Sequence, residues 1–345
     1  MILAWRLILA ALAAVLLAGC GADAPVSRES YVFGTRVEVL VWGQGKEAAE
    51  TAIGEVLREF DRYHRSYHAW QPSDLYALNQ DITAGKPHKV SPELAALIRE
   101  SATLSARGEH LFDPGIGRLV ALWGFHSDEF KPQLPDAAKL AELQKAHPSI
   151  ADLKLDGDIV TSRNRAVALD FGGYLKGVAL DRAAAILRAK GIHNALINIG
   201  GNVMALGSKG GTPWRVGIQH PRSPAPLATL ELRDGEAIGT SGDYQRFFEL
   251  DGRRYCHLID PRSGEPSRGT EAVTVLVPPG EKTGMLSDVT SKPLFIAGAD
   301  WPRLAAALGQ RQVLRVDAEG KVQVTAALKA RLKFETPDLK IEELP

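Results

Sequence analysis

The chain has 345 residues, of which 45% are hydrophobic and 24% are charged, and this composition excludes disordered, collagen-like and coiled-coil proteins. Lysine plus arginine number 41, and aspartate plus glutamate also number 41. No overall field therefore attracts a nucleic acid backbone. The length allows either one large domain or two lobes.

The first twenty residues are typical of an export signal. Arg6 precedes an apolar run from Leu7 to Ala18, which is shorter than the roughly 20 residues of a membrane-spanning helix. The sequence Leu17-Ala18-Gly19-Cys20 resembles a bacterial lipobox, which implies cleavage before Cys20 and lipidation of its thiol. A secretory signal without a lipid is the alternative. We expect a lipid-anchored protein in the bacterial cell envelope that faces the periplasm.

The chain divides into four predicted segments. A signal peptide covers 1–19, a polar lipid-anchored tether covers 20–30, the folded domain covers 31–330, and a polar C-terminal tail covers 331–345. Cys256 is then the one thiol of the folded part, so we expect no internal disulfide. We expect Cys256 to be buried as a small hydrophobic side chain.

A strand and two helices are predicted in the first part of the domain. Valines alternate near the end of Tyr31–Val41, which predicts a strand over these residues. Apolar residues recur at helical spacing after Lys46, which predicts an amphipathic helix. Ser91-Pro92-Glu93 has an N-cap, a proline in the first turn and an acid at the positive end of the helix dipole, so it predicts a helix start.

Two Asp-Gly dipeptides predict hairpins further along the chain. Asp156-Gly157 and Asp251-Gly252 each separate two short apolar stretches and can adopt the positive φ angles of a tight turn. Between them we predict a helix over Lys176–Lys190 and a strand over Asn194–Ile199, and Asp300-Trp301-Pro302 opens a later helix. Helices and hairpins alternate without a regular β-α repeat, which favours an α+β fold.

The segment Ala168–Arg182 has the features of a phosphate site. An apolar strand leads to Asp170, Gly172-Gly173 allows close approach of the backbone, and Lys176 follows at a helix start. Backbone donors, a helix dipole and an ammonium group together suit a phosphate or a pyrophosphate. A plain strand-to-helix turn with a solvated lysine explains the segment equally well.

Two further residues are candidates for a binding or catalytic role. Asp113 precedes Pro114 between two apolar stretches and could face a ligand, although an Asx turn or a helix cap also explains it. His257 falls on a predicted strand before a proline turn. A histidine there could act as a general base near neutral pH, and a structural histidine is the alternative.

The segment Ser287–Pro293 brings a carboxylate and several hydroxyls to the approach of an apolar helix. Asp288, Thr290 and Ser291 offer oxygen ligands that suit a hard cation such as Mg²⁺. A helix N-cap is the alternative interpretation. Zinc-ligand spacing and the G-x-S-x-G motif are absent from the sequence, so zinc hydrolases and serine esterases have no support.

Taken in order, these segments resemble the ApbE family, the FAD:protein FMN transferases, from about Tyr31 to Gly298. The resemblance rests on a series of short motifs in a fixed order. These are Phe33-Gly34-Thr35, the segment Ser73–Asn79, Leu111-Phe112-Asp113-Pro114, Leu122-Trp123-Gly124-Phe125, the segment Asp170–Gly177 with Asp181-Arg182, Asn198-Ile199-Gly200-Gly201-Asn202, Ser241-Gly242, His257, and the segment Asp260–Gly264.

The resemblance implies a two-lobed α+β fold of mixed sheet and helix with FAD in the cleft between the lobes. It implies an extracytoplasmic enzyme that splits FAD, attaches FMN through a phosphoester to a Thr or Ser of an acceptor protein, and releases AMP. His257 is then the catalytic base, and Lys176 offsets phosphate charge. By position, the FAD site would comprise Phe33, Gly34, Thr35, Asn79, Leu111, Phe112, Asp113, Asp170 and Lys176.

The resemblance also implies Mg²⁺, bound through the carbonyl of Gly173 together with an Asp and a Thr. Asp288 occupies the Asp position, but Lys292 occupies the Thr position and Pro293 follows it. An ammonium group cannot bind Mg²⁺. We expect Pro293 to keep Lys292 out of the α conformation, so that the helix begins near Pro293.

Two substitutes for the missing ligand are open. Either Thr290 or Ser291 supplies an oxygen, or Lys292 pairs with Asp288 and places a fixed positive charge near the metal position. The departure at Lys292 leaves two alternative functions for the same fold, a non-catalytic FAD-binding or flavin-delivery lipoprotein and an FAD pyrophosphatase.

Overall fold

The structure is a computed structural model that describes residues 24–127, 129 and 131–345. The predicted signal peptide, the lipobox and Cys20 lie outside these residues. None of the helices described is long and apolar enough to cross a membrane. Helices and strands are mixed along the chain, which confirms the predicted α+β class.

A nine-stranded sheet forms the centre of the molecule. In spatial order its strands are β1 (Val26–Val32), β2 (Thr35–Val41), β6 (Ala195–Ile199), β7 (Asn202–Leu206), β10 (Ala237–Gly242), β15 (Thr270–Val277), β16 (Val313–Asp317), β17 (Val322–Thr325) and β19 (Ile341–Leu344). Neighbouring strands are antiparallel except β17 and β19, which run parallel. The alternating valines of β2 are buried, as the sequence predicts.

The remaining strands form four small sheets. They are β3 (His88–Lys89), β4 (Leu153–Asp156) and β5 (Ile159–Ser162) in one sheet, β8 (Trp214–Gln219), β9 (Pro226–Leu232) and β18 (Lys333–Phe334) in a second, and the pairs β11 (Phe247–Leu250) with β12 (Arg253–Cys256) and β13 (Ile259–Asp260) with β14 (Glu265–Pro266).

The helices cover the sheet and build the second lobe. They are α1 (Lys46–Ser66), α2 (Asp74–Ala84), α3 (Pro92–Arg107), α4 (Gly117–Leu122), α5 (Ala137–Ala146), α6 (Leu175–Ala189), α7 (Thr283–Ala297), α8 (Trp301–Ala307) and α9 (Ala326–Lys329). Ser91 caps α3 as predicted, because its hydroxyl accepts a hydrogen bond from the Leu94 amide.

Helix α7 lies between the cores of the two lobes. One core fills the space between β1, β2 and β6 and the helices α1 and α6. The core of the other lobe comes mainly from α2, α3 and β5, and it extends to Met285 and Val289 of α7. The same helix packs on β10 and β15 of the large sheet. Polar groups carried by α7 are therefore placed where the lobes meet.

Helices α6 and α7 approach closely at two glycines. A Cβ on Gly177 would lie 2.6 Å from Cα of Met285, and a Cβ on Gly284 would lie 2.6 Å from Cβ of Leu180. Asp181 of α6 accepts hydrogen bonds from the amides of Gly284 (2.8 Å) and Met285 (2.9 Å). Asp181 thus satisfies two of the amides that the first turn of α7 leaves without helical partners.

Several local predictions are confirmed. Asp156-Gly157 forms the turn between β4 and β5, and Asp251-Gly252 forms the turn between β11 and β12 with φ of 50° and 71°. Helix α8 begins at Trp301. Cys256 is 2% exposed, and burial raises the pKa of its thiol to about 12. The thiol is therefore protonated and unreactive at neutral pH.

The folded part begins earlier than the predicted boundary at residue 31. Strand β1 starts at Val26 and pairs with β2 along its whole length, from Val26 opposite Val41 to Val32 opposite Thr35. The predicted tether is therefore wrong for residues 26–30, and a turn at Phe33-Gly34 divides the predicted first strand. Most side chains of β1 are exposed. Because this edge strand is held by backbone pairing and exposes most of its side chains, its sequence lacks the alternation of hydrophobic and polar residues that predicts a strand.

The predicted polar tail over 331–345 is also wrong, because it contains two strands. Strand β18 pairs with β9, and β19 pairs with β17 from Ile341 beside Val322 to Leu344 beside Thr325. Arg331 forms an ion pair at 2.9 Å with Glu236, whose side chain is 4% exposed. Alternate residues of β19 are exposed, which gives this segment the charged composition of a tail.

Helix α7 runs through Pro293 and does not begin there, so that prediction is wrong. Proline has no N–H for the carbonyl four residues earlier, and it normally kinks or ends a helix. Most of α7 is buried, and the Pro293 ring lies beside Gly108 of the other lobe. Packing on both sides thus holds the helix together, and Lys292 keeps its helical position.

Candidate active site

The segment before α6 brings Asp170 to the junction of the lobes. The amide of Asp170 donates to the carbonyl of Pro114 at 2.8 Å, which joins this segment to the loop that carries Asp113. Asp170 Oδ1 accepts from the amide of Gly172 at 2.8 Å. Burial raises the pKa of Asp170, while the Gly172 amide and the nearby charges of Arg246 and His68 lower it.

Asp113 is buried and holds its own loop in place. Its side chain is 1% exposed. Oδ1 accepts from the amides of Gly115 and Ile150, both at 2.8 Å, and Oδ2 accepts from the hydroxyl of Ser149. The contact with Gly115 is the Asx turn of the alternative interpretation. The oxygens of Asp113 are thus satisfied within the protein, and its place in the FAD site stays a prediction.

Asn79 acts on the backbone just before Asp170. Its side-chain amide donates to the carbonyl of Leu169 at 2.9 Å, and its oxygen accepts from the Leu169 amide at 2.7 Å. Asn79 is 6% exposed. Asn79 therefore positions the backbone beside Asp170, and its place in the FAD site stays a prediction.

The predicted Phe33-Gly34-Thr35 motif forms the turn between β1 and β2. Phe33 and Gly34 have φ of 58° and 67°, the left-handed values of a two-residue type I′ turn. The Phe33 ring packs on Phe60, with ring centres 6.1 Å apart. Thr35 contacts Gly200, where a Cβ would lie 2.5 Å from the threonine hydroxyl. The structure thus brings together the first motif and the glycine pair between β6 and β7.

Leu111 and Phe112 point into two different cores. Leu111 is 5% exposed and packs in the cluster that covers α7 and α8, whereas Phe112 is 6% exposed and packs in the helical lobe. The Phe112 ring lies 3.6 Å from the position of a Cβ on Gly173. Phe112 therefore lies beside Gly173, whereas Leu111 belongs to the other core.

Asp288 lies at the centre of the junction and is 1% exposed. Its Oδ2 accepts from the amide of Gly177 at 2.9 Å. Its Oδ1 accepts from the side-chain amide of Asn202 at 2.9 Å and from Nζ of Lys292 at 2.6 Å. This carboxylate therefore links α6, α7 and β7, and three protein donors already occupy it.

Lys292 pairs with Asp288, which is the second of the two alternatives open from the sequence. Nζ of Lys292 lies 2.6 Å from Oδ1 of Asp288 and 2.7 Å from its carbonyl oxygen. The Lys292 side chain is 12% exposed. Its methylene stem crosses Gly173, where a Cβ would lie 2.8 Å from Cε. The absence of a side chain at Gly173 gives the lysine its path.

Neither hydroxyl that was predicted as a substitute ligand is directed to the Asp288 carboxylate. Thr290 donates to the Leu286 carbonyl at 2.7 Å, and residues two apart on a helix do not face each other. The Ser291 hydroxyl is fully buried, donates to the Asp288 carbonyl at 2.8 Å and contacts the Ser241 hydroxyl at 2.7 Å. Thr290 is therefore not a partner of Asp288 in this site.

The donors around Asp288 do not fit Mg²⁺. The ion needs about six oxygen ligands in octahedral geometry. Gly177, Asn202 and Lys292 already donate to the carboxylate, and the Lys292 stem fills the space beside Gly173. Among the residues that the structure describes, no cluster of three or more His, Cys, Asp or Glu side chains could hold a metal.

Lys176 and Arg246 add positive charge to the same region. Lys176 is partly exposed, and the loss of water around its ammonium group lowers its pKa. The charge of Asp288 raises the pKa of Lys176, and the charges of Lys292 and Arg246 lower it. Each of these cations therefore lies within electrostatic reach of Lys176. Burying like charges together is unfavourable unless an anion compensates them. The arrangement suits a phosphate-bearing ligand.

His257 directly follows β12, at the edge of the same cluster of cations. Its Nδ1 lies 3.2 Å from the carbonyl of Arg246. A carbonyl only accepts, so Nδ1 carries the proton and Nε2 keeps a lone pair. Burial lowers the pKa of His257 to about 3, with further lowering by Arg246, Lys176 and Lys292. The imidazole is neutral at pH 7 and can accept a proton at Nε2.

Two residues of the site were not predicted from the sequence. Asn202 connects Asp288 to the amide of Thr240, at 2.9 and 3.2 Å. Its position at the end of the glycine motif was a signal that could have found it. Arg246 donates to the carbonyl of Phe125 at 3.0 Å. It lies outside every recognised motif, so the sequence offered no signal.

Fold and site together define a two-lobed α+β protein whose lobes meet at a cation-rich, phosphate-adapted site. The family model of the ApbE family matches residues 33–314. The chain belongs to the ApbE family, which confirms the resemblance seen in the sequence.

Curated relatives carry the name FAD:protein FMN transferase. The relative from Rhodobacter capsulatus is 42% identical over 336 residues, which cover 96% of this chain and 64% of that protein. This chain thus spans less than two thirds of that relative's length. The relative from Vibrio cholerae is 30% identical over 320 residues, which cover 90% of this chain and 93% of that protein.

Solved structures of the family share the fold. The ApbE protein from Thermotoga maritima superposes with a TM-score of 0.81 at 28% identity and covers 89% of this chain and 99% of that one. The flavin transferase ApbE from Vibrio cholerae superposes with a TM-score of 0.77 at 27% identity, with the same coverage.

Proposed function

We propose that this chain is an FAD:protein FMN transferase. It takes FMN from FAD, attaches it to a Thr or Ser hydroxyl of an acceptor protein, and releases AMP. The observation that carries this proposal is the convergence of Lys176, Lys292 and the neutral His257 on one junction in a member of the ApbE family. The names and sequence identities of the relatives support the same reaction.

The proposed reaction replaces a phosphoanhydride bond of FAD with a phosphoester bond at the same phosphorus. The acceptor oxygen attacks the FMN phosphorus of FAD and forms a new P–O bond. The bond from that phosphorus to the bridging oxygen breaks, and its electron pair leaves with AMP. The hydroxyl proton passes to a base. Such a transfer depends mainly on alignment and on charge stabilisation.

The residues of the site meet these requirements in distinct ways. Lys176 and the amides near the start of α6 face the pyrophosphate, and Lys292 adds a second ammonium group. Nε2 of His257 accepts the hydroxyl proton. The cations lower the pKa of His257 in the free protein. A bound pyrophosphate offsets those charges, so it raises the basicity of His257 when substrate is present.

We infer the location and the acceptor from the sequence. A signal peptide over residues 1–19 and a lipid on Cys20 would place the folded body in the periplasm, attached to a membrane. The acceptor is then an extracytoplasmic flavoprotein with a Thr or Ser in a flavinylation motif. The proposed reaction does not use Mg²⁺ at Asp288, because three protein donors already occupy that carboxylate.

Covalent labelling of an acceptor tests the proposed function. The full chain in detergent is incubated with FAD and an acceptor that the Vibrio cholerae transferase labels, and flavin fluorescence in the denaturing gel is compared with AMP release. We expect a fluorescent acceptor band and an equal amount of AMP. His257→Asn should slow labelling by about a hundredfold or more, because it removes the base.

Two results would contradict the proposal. AMP release without a labelled acceptor indicates an FAD pyrophosphatase. FAD binding with neither product, while the Vibrio cholerae enzyme labels the same acceptor, indicates a flavin-binding protein without catalysis.

A further inference from the structure

We propose that the ammonium group of Lys292 takes the place of a divalent cation at Asp288, so that this chain binds the FAD pyrophosphate without Mg²⁺. This inference rests on the proposed function, because it concerns how the same site holds the same substrate. It differs from the metal requirement that the family resemblance implies.

The position of Nζ carries the inference. Two of its contacts are to Asp288, at 2.6 Å to Oδ1 and 2.7 Å to the carbonyl oxygen. A hard cation held by the same residue would be bound by such oxygens. An ammonium group has three donors. Among the residues described, both acceptors of Nζ belong to Asp288, which leaves a third donor for a phosphate oxygen.

The site is built to hold a lysine. The methylene stem passes over Gly173, where even a Cβ would lie 2.8 Å from Cε, so a larger residue there would displace the stem. The side chains of Lys292 and Asp288 are only 12% and 1% exposed. Asn202 and the amide of Gly177 satisfy the rest of the carboxylate. Both oxygens of the Asp288 carboxylate thus accept hydrogen bonds within the protein.

Electrostatics also disfavour a metal beside this lysine. A divalent ion at the Asp288 oxygens would lie within a few ångströms of Nζ, and like charges at that distance repel strongly in a partly buried site. Lys176 and Arg246 add to the positive field. The carboxylates of Asp288 and Asp170 do not compensate a divalent ion together with the charges of Lys292, Lys176 and Arg246. A pyrophosphate does, because it brings negative charge of its own.

Flavin binding in the presence and absence of metal tests the inference without any variant. FAD affinity of the full chain is measured by quenching of flavin fluorescence, in EDTA and in excess Mg²⁺. We expect the two dissociation constants to agree within about twofold. Mn²⁺, followed by electron paramagnetic resonance as a probe of the metal position, should show no bound ion in the wild-type protein.

Three lysine variants separate charge from shape. Lys292→Thr places a hydroxyl one helical turn after Asp288, so we expect about tenfold weaker FAD binding in EDTA, recovery in Mg²⁺, and a bound Mn²⁺ signal. Lys292→Met keeps the apolar stem without charge or oxygen, so Mg²⁺ should not restore binding. Lys329→Thr changes an exposed lysine that pairs with Glu343 and should behave as wild type.

The outcomes distinguish this inference from the proposed function. Loss of wild-type FAD binding in EDTA with recovery in Mg²⁺ overturns the inference, even if the acceptor is labelled. Metal-independent FAD binding without labelling supports the inference and counts against the transferase. Absence of FAD binding under every condition overturns both.

Discussion

The surroundings of His257, and not the ordinary pKa of histidine alone, keep its imidazole neutral. Desolvation lowers its pKa first, and the charges of Arg246, Lys176 and Lys292 lower it further, to about 3 from an ordinary 6.5. Its Nδ1 is committed to the Arg246 carbonyl at 3.2 Å. The same cations that are proposed to bind the pyrophosphate therefore keep His257 unprotonated.

The lowered pKa of His257 predicts a pH dependence of stability. The unfolded chain takes up a proton on this residue below pH 6.5, whereas the folded protein does so only near pH 3. The neutral histidine therefore contributes stability that is complete above about pH 6.5 and is lost as the pH falls toward 3. In His257→Asn this loss should be absent. Melting temperatures of both proteins from pH 8 to pH 4 check this, and a constant difference across that range would contradict it.

A residue's role could be predicted from the sequence when its hydrogen-bond or ion-pair partner is close to it along the chain, and not when the partner is distant. The pairing of Asp288 with Lys292, four residues away, was one of two alternatives open from the sequence, although Pro293 was expected to keep Lys292 out of the helix. Besides the nearby amide of Gly115, the partners of Asp113 are Ser149 and Ile150, which are more than thirty residues away. No local pattern could show that this carboxylate is used up inside the protein.

The crossing of α6 and α7 fixes the centre of the site. Gly177 and Gly284 let the helix backbones approach, and Asp181 ties the start of α7 to α6. One turn further along α7, Asp288 reaches the amide of Gly177 at 2.9 Å. The close approach of two helices thus determines where the carboxylate and Lys292 lie.

Gly177→Ala should separate these helices. The new Cβ would lie 2.6 Å from Cα of Met285 and 2.8 Å from Cβ of Asp288, and neither backbone can yield without a shift of the helix. We expect a loss of about 2 kcal/mol in the free energy of unfolding, together with weaker FAD binding. Chemical denaturation and flavin fluorescence measure the two effects.

Gly54→Ala is the matched control for this prediction. Gly54 lies inside α1, and its nearest neighbour to a new Cβ is the flexible Arg58 guanidinium at 3.4 Å. Alanine there should raise stability by about 0.5 to 1 kcal/mol, because it favours the helix. Equal effects of the two substitutions would show that the crossing does not depend on Gly177.

Elements with local signals were predicted, and elements defined by distant partners were not. The cap at Ser91 and both Asp-Gly turns depend on a few adjacent residues. Strand β1 and the strands of 331–345 depend on pairing with segments elsewhere in the chain. Helix α7 continues through Pro293 because both lobes pack against it, which overrides a strong local preference.

The strands nearest the two ends of the described chain form the opposite edges of the large sheet. Strand β1 forms one edge, and β19 forms the other by pairing in parallel with β17. Arg331 adds an ion pair with the buried Glu236. The C-terminal segment is therefore a structural part of the domain, although its composition resembles a loose extension.

Deletion of residues 331–345 should destabilise the whole domain. It removes β18 and β19 and leaves the buried Glu236 carboxylate without its ion-pair partner Arg331, with the Arg233 amide as a remaining donor, and this loss costs about 3 kcal/mol. We expect a clear fall in the unfolding midpoint in denaturant. Deletion of Pro345 alone, which lies outside β19, should leave the midpoint unchanged. A truncated protein as stable as the full chain would mean that these strands add nothing to the fold.

The start of β1 at Val26 limits how far the folded body can stand from a membrane. If the proposed lipid is attached to Cys20, five residues, or six Cα–Cα steps, separate the anchor from Val26, the first paired residue of the sheet. Even fully extended, such a stretch reaches only about 20 Å. The enzyme would work within a thin layer above the bilayer. Its acceptors would be those that hold their hydroxyl at that height, so distance from the membrane would select substrates before any contact is made.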